Sequence, residues 1–128
     1  MLTPDIQLIK DAFTAIESIP DEAISLAQWR TQEGRSLTTG TICCPAGWLT
    51  LHPKFVAKGL TFDGRGRPAY GIYRGYAALA VLFKIDTEEA LAMFCPVPER
   101  SWSPLSDKTL WLNRVRTYLQ RNAHKYPY

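Results

Sequence analysis

The chain has 128 residues, of which 46% are hydrophobic and 21% are charged, and this composition is typical of globular proteins. A chain of this length can bury a core without metals or disulfides, so we expect one globular domain over residues 1–128. The three cysteines, two of them adjacent, do not suit a disulfide framework, and a net charge of +3 is too small to mark a nucleic-acid-binding protein.

Hydropathy and charge distribution further limit the expected function. No apolar run approaches the roughly 20 residues of a membrane-spanning helix, and the first residues lack the regions of a signal peptide. We therefore expect a cytoplasmic protein with no membrane partner. Residues 1–33 carry six of the 12 acidic residues but only two of the 15 basic ones, so the rest of the chain is basic. This asymmetry is typical either of a positive surface for a partner or of an acidic helix packed across a basic part.

The N-terminal residues predict a helix over 4–18. Thr3 is a good N-cap, Pro4 suits the first helical position, and Pro20 stops the helix. The next segment, Asp21–Trp29, predicts a second short helix, and the polar residues 31–39 predict a loop. The apolar face of the first helix is formed by Leu2, Ile6, Ile9, Phe13 and Ile16.

The middle of the chain predicts one helix and one hairpin. The helix begins at a cap on Thr39 or Thr41, runs to Leu51 and is ended by Pro53. Two extended arms, 59–62 and 68–73, then flank a turn that contains glycine and predict a β-hairpin or an extended basic loop.

Three more helices are predicted in the C-terminal half. One spans 76–83, the second starts at a capping-box pattern of Asp86 and Glu89 and ends near Phe94, and the third follows a Ser106 cap. The last helix has an apolar stripe of Trp111, Val115, Tyr118 and Leu119. The predicted fold class is mainly α (α+β), with four or five packed helices and the small hairpin or extended loop.

The segment Gly40-Thr41-Ile-Cys-Cys44-Pro-Ala-Gly47-Trp48, together with the downstream residues 76–94, resembles a family of small uncharacterised proteins encoded by phages and prophages. These proteins pair a Gly-Thr-x-x-Cys-x-x-Gly-Trp motif with a later two-helix unit, and the resemblance covers roughly residues 24–119. The resemblance implies a bacterial host cell as the setting of the protein, and the family has no activity that it carries over to this chain. The motif residues Gly40, Thr41, Cys44, Gly47 and Trp48 are interpreted as structural, with Gly47 allowing close backbone approach and Trp48 anchoring the core.

Catalytic and metal sites are not expected. Cys44 and His52 are eight residues apart, about 12 Å along a helix, so they do not form a nucleophile–base pair on one helix. The set Cys43, Cys44, His52 and Cys95 lacks the knuckle spacing of zinc sites. We therefore predict no catalytic residues, no metal ligands and no cofactor.

The two-helix unit over 77–94 resembles a helix-turn-helix. Its second helix carries Glu88 and Glu89 and has no basic or amide side chain before Phe94, and carboxylates repel the phosphates that a recognition helix must approach. The pattern favours a corner built for packing.

Segment 54–76 interleaves basic and aromatic residues and contains the predicted partner-binding residues Lys58, Arg65, Arg67, Tyr70, Tyr73 and Arg74. Three interpretations are open: a solvated loop whose aromatics belong to the core, a protein interface, or a surface for single-stranded nucleic acid. Arg65 and Arg67 flank a glycine at the hairpin tip, where side chains are expected to have little to pack against.

The predicted function is that of a non-enzymatic phage or prophage accessory protein. It would bind an unidentified host or phage protein and inhibit a host process or defence system. The alternative is a nucleic-acid-binding regulator that uses segment 54–76 or the 77–94 unit. A further possible working surface is the basic face of the last helix around Arg114 and Arg121, and no sequence feature indicates an oligomeric state.

Overall fold

The computed structural model describes residues 3–26, 44–63, 67–95 and 105–122. In these ranges it contains six α-helices and a small three-stranded antiparallel sheet, which confirms the mainly α fold class. None of these helices combines the length and apolarity needed to cross a membrane. In chain order the elements are α1 (Ile6–Glu17), a 3-10 turn (Asp21–Ala23), α2 (Pro45–Leu49), α3 (Pro53–Ala57), β1 (Leu60–Phe62), β2 (Pro68–Tyr70), β3 (Tyr73–Arg74), α4 (Tyr76–Phe83), α5 (Thr87–Phe94) and α6 (Asp107–Asn122).

Helix α1 begins two residues later than its sequence pattern predicts. The Asp5 carboxylate, rather than the Thr3 hydroxyl, caps the helix by accepting a hydrogen bond from the Leu8 N–H at 3.0 Å. Aspartate is among the preferred N-cap residues, because its side-chain oxygen accepts a hydrogen bond from an N–H of the first turn. The Asp5 N–H donates to the Phe83 carbonyl at 2.8 Å, which ties the start of α1 to the end of α4. The described part of the predicted apolar face is confirmed, with Ile6, Ile9 and Ile16 buried and Phe13 partly buried against the core, while Leu2 lies outside the described ranges.

The segment after Pro20 forms a single turn, so the predicted helix to Trp29 is wrong in its described part. Ile24 is already extended, with φ −120° and ψ 129°. Ile24 and Leu26 are buried, and the Leu26 N–H donates to the Asp107 carboxylate of α6 at 2.8 Å. Burial and this hydrogen bond hold the chain extended across the core, a conformation that the β-branched Ile24 favours. Trp29 and residues 31–39 lie outside the described ranges.

Helix α2 is shorter than the predicted helix. It begins at Pro45, and the residue before it, Cys44, is extended with φ −70° and ψ 166°. The Cys44 Sγ caps α2 by accepting the Gly47 N–H at 3.3 Å. Thr39 and Thr41, the predicted caps, lie outside the described ranges.

Helix α3 was not predicted. Pro53 begins this helix instead of ending the previous one, because its fixed φ and missing N–H suit a first helical position as well as a stop. His52 caps α3 through Nδ1, which accepts the Lys54 N–H at 3.2 Å. Because α2 ends at Leu49, the chain breaks into two short helices where one was expected to reach Leu51.

The sheet has the strand order β1-β2-β3, with both neighbouring pairs antiparallel. The predicted hairpin is confirmed as β1 and β2. The predicted second arm over 68–73 is wrong in its length, because the chain turns at Gly71 and Ile72 and Tyr73 begins an additional strand, β3. Strands β2 and β3 are joined by two residues, Gly71 and Ile72, between the paired residues Tyr70 and Tyr73. Gly71 has φ +61°, the left-handed region that the first position of a type II′ hairpin turn requires and that glycine adopts without strain.

Helices α4 and α5 form the predicted corner. The link begins at Lys84, which has left-handed backbone angles (φ 58°, ψ 45°), and the next residue, Ile85, is buried and donates its N–H to the Ala80 carbonyl at 3.0 Å. This is the Schellman arrangement of a helix C-terminus. Asp86 then caps α5, its carboxylate accepting the Glu89 N–H at 2.8 Å, so the predicted capping start is confirmed.

A row of aromatic rings crosses the core and joins four helices. Phe55 of α3, Phe83 of α4, Phe94 of α5 and Trp111 of α6 are buried, and successive ring centroids lie 6.2, 6.0 and 5.7 Å apart. Most of the described buried apolar residues form one cluster, which includes this row. Helix α6 starts as predicted behind Ser106, and its buried face consists of Leu110, Trp111, Val115 and Tyr118.

Candidate functional site

The described residues of the Gly-Thr-x-x-Cys-x-x-Gly-Trp motif pack inside the chain. Cys44 and Gly47 are buried at the start of α2. Trp48 is half-buried rather than a fully buried anchor, and its Nε1–H donates to the Ala23 carbonyl at 2.8 Å. The motif thus joins α2 to the turn after α1. Gly40 and Thr41 lie outside the described ranges.

Cys44 and His52, considered above as a nucleophile and a base, each cap a different helix. The chain breaks between them, so the distance argument from one straight helix does not apply. However, the Cys44 Sγ accepts the Gly47 N–H and the His52 Nδ1 accepts the Lys54 N–H, so each atom has a structural role. Among the described residues, no group of three His, Cys, Asp or Glu side chains is arranged to hold a metal ion.

Tyr76 lies at the start of α4 among groups that keep its hydroxyl protonated. Burial raises the pKa of Tyr76 to about 12, and the nearby thiols of Cys95 and Cys44 add to the increase, while the Arg114 charge opposes it. A phenol with this pKa remains neutral at physiological pH. Tyr76 is therefore not a proton acceptor for chemistry near pH 7.

The predicted binding residue Arg67 takes part in closing the β1–β2 hairpin. Its Nε–H donates to the Asp63 carboxylate at 2.8 Å, and its backbone N–H donates to the other carboxylate oxygen at 3.0 Å. The Asp63 N–H in turn donates to the Arg67 carbonyl at 3.0 Å. The expectation that Arg67 has little to pack against is wrong because Asp63 pairs with it. Arg65 lies outside the described ranges.

Two more of the predicted binding residues contact the sheet. The Arg74 guanidinium is exposed but donates to the carbonyls of Gly71 and Tyr73 at 2.8 and 2.9 Å, and so braces its own turn. Tyr70 is half-buried and packs against the core, close enough to Gly59 that an added Cβ there would lie 3.3 Å from the Tyr70 ring.

Lys58 lies apart from that turn, at the C-terminal end of α3. Its side chain is exposed, and its charge lowers the pKa of Asp11 on α1. The structure thus disperses the predicted basic cluster over α3, the β1–β2 hairpin and the β2–β3 turn.

Exposed apolar side chains lie on the β2–β3 turn, on β3 and on α4. Ile72 at the tip of the turn is 87% exposed, Tyr73 beside it is 43% exposed, and Val81 of α4 is 38% exposed. We call these three residues the apolar ledge. Tyr73 is one of the predicted binding residues; it follows Ile72 along the chain and lines one groove together with Val81.

A groove runs beside the apolar ledge, between β3 and the corner of α4 and α5. Its volume is about 360 Å³, within the range of known ligand sites, and Tyr73 and Val81 form part of its wall. The remaining lining residues are Ala77, Ala80, Lys84, Ile85, Asp86 and Thr87. We call this feature the ledge groove.

The basic side chains of α6 take part in contacts within the chain. Arg114 is half-buried, and its guanidinium donates to the carbonyls of Cys95 at 2.8 Å and Met93 at 3.3 Å, at the end of α5. The Arg121 guanidinium lies over the Tyr118 ring at 5.9 Å. Arg114 therefore ties α6 to α5, and Arg121 is the exposed cation of the two.

In the two-helix unit over 77–94, α4 is mostly buried and α5 exposes acidic groups. Glu88 and Glu89 occupy the first turn of α5 and line a second groove, of about 610 Å³, which α6 completes with Arg114 and Arg121. One wall of this second groove is acidic and the other basic.

Sequence reasoning missed Ile72, Val81 and Lys84 as surface residues. One signal was available, because an apolar β-branched residue beside Gly71 occupies a turn position where Gly, Asn, Asp or Ser is usual. For Val81 and Lys84 no comparable signal exists, since their exposure depends on how α4 packs against the sheet.

The chain matches no family model, no curated protein and no solved structure.

Proposed function

We propose that this chain is a non-enzymatic accessory protein of a phage or prophage that acts in the bacterial cytoplasm by binding a host or phage protein. Binding would inhibit a host process or defence system. The observation that carries the proposal is the apolar ledge, formed by Ile72, Tyr73 and Val81. The motif resemblance to phage-encoded proteins supports the biological setting.

The energetics of Ile72 favour a surface that becomes buried in a complex. Burying an aliphatic side chain of this size is worth about 1.5–3 kcal/mol, and the isolated chain forgoes most of it at Ile72. A polar turn residue would satisfy the β2–β3 turn at least as well. Aromatic residues such as Tyr73 are enriched in protein interfaces, where they contribute a large contact area with few rotatable bonds.

Several candidate chemical groups already have structural roles, which supports binding over catalysis. Cys44 and His52 cap helices, and Tyr76 remains protonated near neutral pH. Similarly, the ion pairs Lys54–Asp11 and Arg67–Asp63 offset basic charges that a nucleic-acid surface would expose to phosphates.

The test is a comparison of affinity-tagged variants in bacterial lysate, with bound proteins identified by mass spectrometry and then purified for measurements of Kd. The ledge variant carries Ile72→Asp and Tyr73→Asp. The matched control is Val56→Asp on α3, because Val56 is also apolar and 49% exposed but lies outside the apolar ledge. Both variants should keep the wild-type melting temperature, since exposed substitutions usually change stability by under about 0.5 kcal/mol.

We expect one protein to bind the wild type and the Val56→Asp variant, and its purified form to lose at least about 100-fold in affinity for the ledge variant, the scale of an interface hot spot. Equal binding by all three chains would refute the proposed surface. Co-purified nucleic acid, with an affinity that falls by orders of magnitude between low and physiological salt, would support the regulator alternative instead.

A further inference from the structure

We propose that the bound partner presents a peptide segment in which an acidic residue adjoins a bulky apolar one. The apolar side chain fills the ledge groove, and the carboxylate meets the Lys84 ammonium at its rim. This inference rests on the proposed function, because it specifies the partner chemistry at the same surface.

The walls of the ledge groove favour an apolar side chain. Most of its lining residues are apolar or aromatic: Tyr73, Ala77, Ala80, Val81 and Ile85. A groove with these walls gains free energy when apolar surface replaces water in it.

Lys84 supplies the charge at the rim of the groove. Among the described residues, Lys84 is the one non-glycine residue with a positive φ, 58°. It occupies the position after a helix C-terminus where glycine is most common. The left-handed conformation is strained for lysine, so the residue is less favourable for folding than glycine would be. Within the described part of the chain the Lys84 ammonium forms no ion pair or hydrogen bond, so folding gains nothing from it. Strain of this kind is common where a side chain serves binding.

The two charged residues that line the groove differ in their bonding. The Asp86 carboxylate accepts the Glu89 N–H and lies at the N-terminus of α5, where the helix dipole offsets part of its charge. The Lys84 ammonium is the charged group of the lining that has no partner in the described part of the chain. An acidic partner group is therefore complementary to this rim.

The experiment selects short random peptides from a displayed library against the wild-type chain and measures the Kd of synthetic versions by calorimetry. The variants are Lys84→Gln, which removes the charge and keeps the strained backbone, and Lys84→Gly, which removes both. Lys58 is the matched control, because it is an exposed lysine at a helix C-terminus with ordinary backbone angles, φ −80° and ψ −10°.

Selected peptides should pair Asp or Glu with a neighbouring Leu, Ile, Phe or Trp, and should lose binding to the Ile72→Asp, Tyr73→Asp variant. Lys84→Gln and Lys84→Gly should each weaken binding by about 5- to 10-fold, as expected for a charge at an interface rim. Lys84→Gly should also raise the melting temperature by about 4 °C. Lys58→Gly should leave peptide binding unchanged and should not raise the melting temperature.

Peptides that need the apolar ledge but show no acidic preference, and bind Lys84→Gln as tightly as wild type, would overturn this inference and leave the proposed function standing. If no selected peptide depends on Ile72 and Tyr73 for binding, the result would count against both this inference and the proposed function.

Discussion

The Arg67 guanidinium lies 2.8 Å from the Asp63 carboxylate, and this pair closes the hairpin of β1 and β2 near its tip. The Asp63 side chain is 16% exposed and accepts hydrogen bonds from both the side chain and the backbone of Arg67. Asp63 thus stabilises two donors, whereas Arg67 contributes one side-chain hydrogen bond to it. The two residues should not be equally important for stability.

Replacing Asp63 with Ala should lower the free energy of unfolding by about 1–3 kcal/mol, because the partly buried Arg67 N–H and guanidinium lose their acceptor. Replacing Arg67 with Ala should cost less than about 1 kcal/mol, the usual range for an exposed ion pair. Urea unfolding of both variants measures the two values. A larger loss for Arg67→Ala than for Asp63→Ala would contradict the hydrogen-bond geometry.

At the same scale, the residues of the candidate site differ in how well the sequence predicts them. The sequence predicts Tyr73 as a candidate binding residue, because aromatic residues among basic ones are typical of binding surfaces. It does not predict the structural role of Arg67, because the pattern cannot show that Asp63 turns back toward Arg67 across a tight turn. The strain at Lys84 also escapes the sequence, because only the backbone conformation distinguishes it from the ordinary lysine at position 58.

Among the elements, α1, α4, α5 and α6 are predictable because local caps and apolar periodicity act together. Helix α3 is not, because Pro53 is compatible with both ending and beginning a helix, and the choice depends on its surroundings. Phe55 of α3 is fully buried, and the Lys54 ammonium lies 2.8 Å from the Asp11 carboxylate of α1. These contacts join residues that are distant in the sequence, and they favour a new helix at Pro53.

The Lys54–Asp11 link between α3 and α1 predicts a pH-dependent contribution to stability. Partial burial raises the pKa of Asp11, but hydrogen bonds from Lys54 and Gln7 and the charges of Lys54 and Lys58 together hold it below its ordinary value. A carboxyl group with a lowered folded-state pKa stabilises the fold above its unfolded pKa of about 3.9. That contribution is lost as the pH falls from about 4 through the lowered folded pKa.

The variant Asp11→Asn should therefore be less stable than wild type by under about 1 kcal/mol at neutral pH, and the difference should narrow below about pH 4. Urea unfolding over this pH range measures the effect. Glu22→Gln is the control, because Glu22 is exposed on the 3-10 turn and forms no ion pair within the described ranges. A stability difference for Asp11→Asn that stays constant with pH would show that the charge of Asp11 is not its cause.

For the whole molecule, local sequence patterns predict most helices but not their partners. The row Phe55, Phe83, Phe94 and Trp111 forms because the short helix α3, the C-terminal ends of α4 and α5 and the first turns of α6 converge. No spacing along the chain encodes that convergence. The same packing places β3 beside α4 and so creates the apolar ledge. A surface assembled in this way can be found only after the fold is known.

The apolar ledge is tested most directly by photo-crosslinking in living bacterial cells, with a benzophenone amino acid replacing Ile72 in one variant and Val56 in the other. Both positions are exposed and apolar, so the two probes differ chiefly in location. We expect the probe at position 72 to form a covalent adduct with one cellular protein and the probe at position 56 to form none with that protein. Equal adducts from both positions, or a partner captured only from position 56, would contradict the assignment of the apolar ledge as the binding surface.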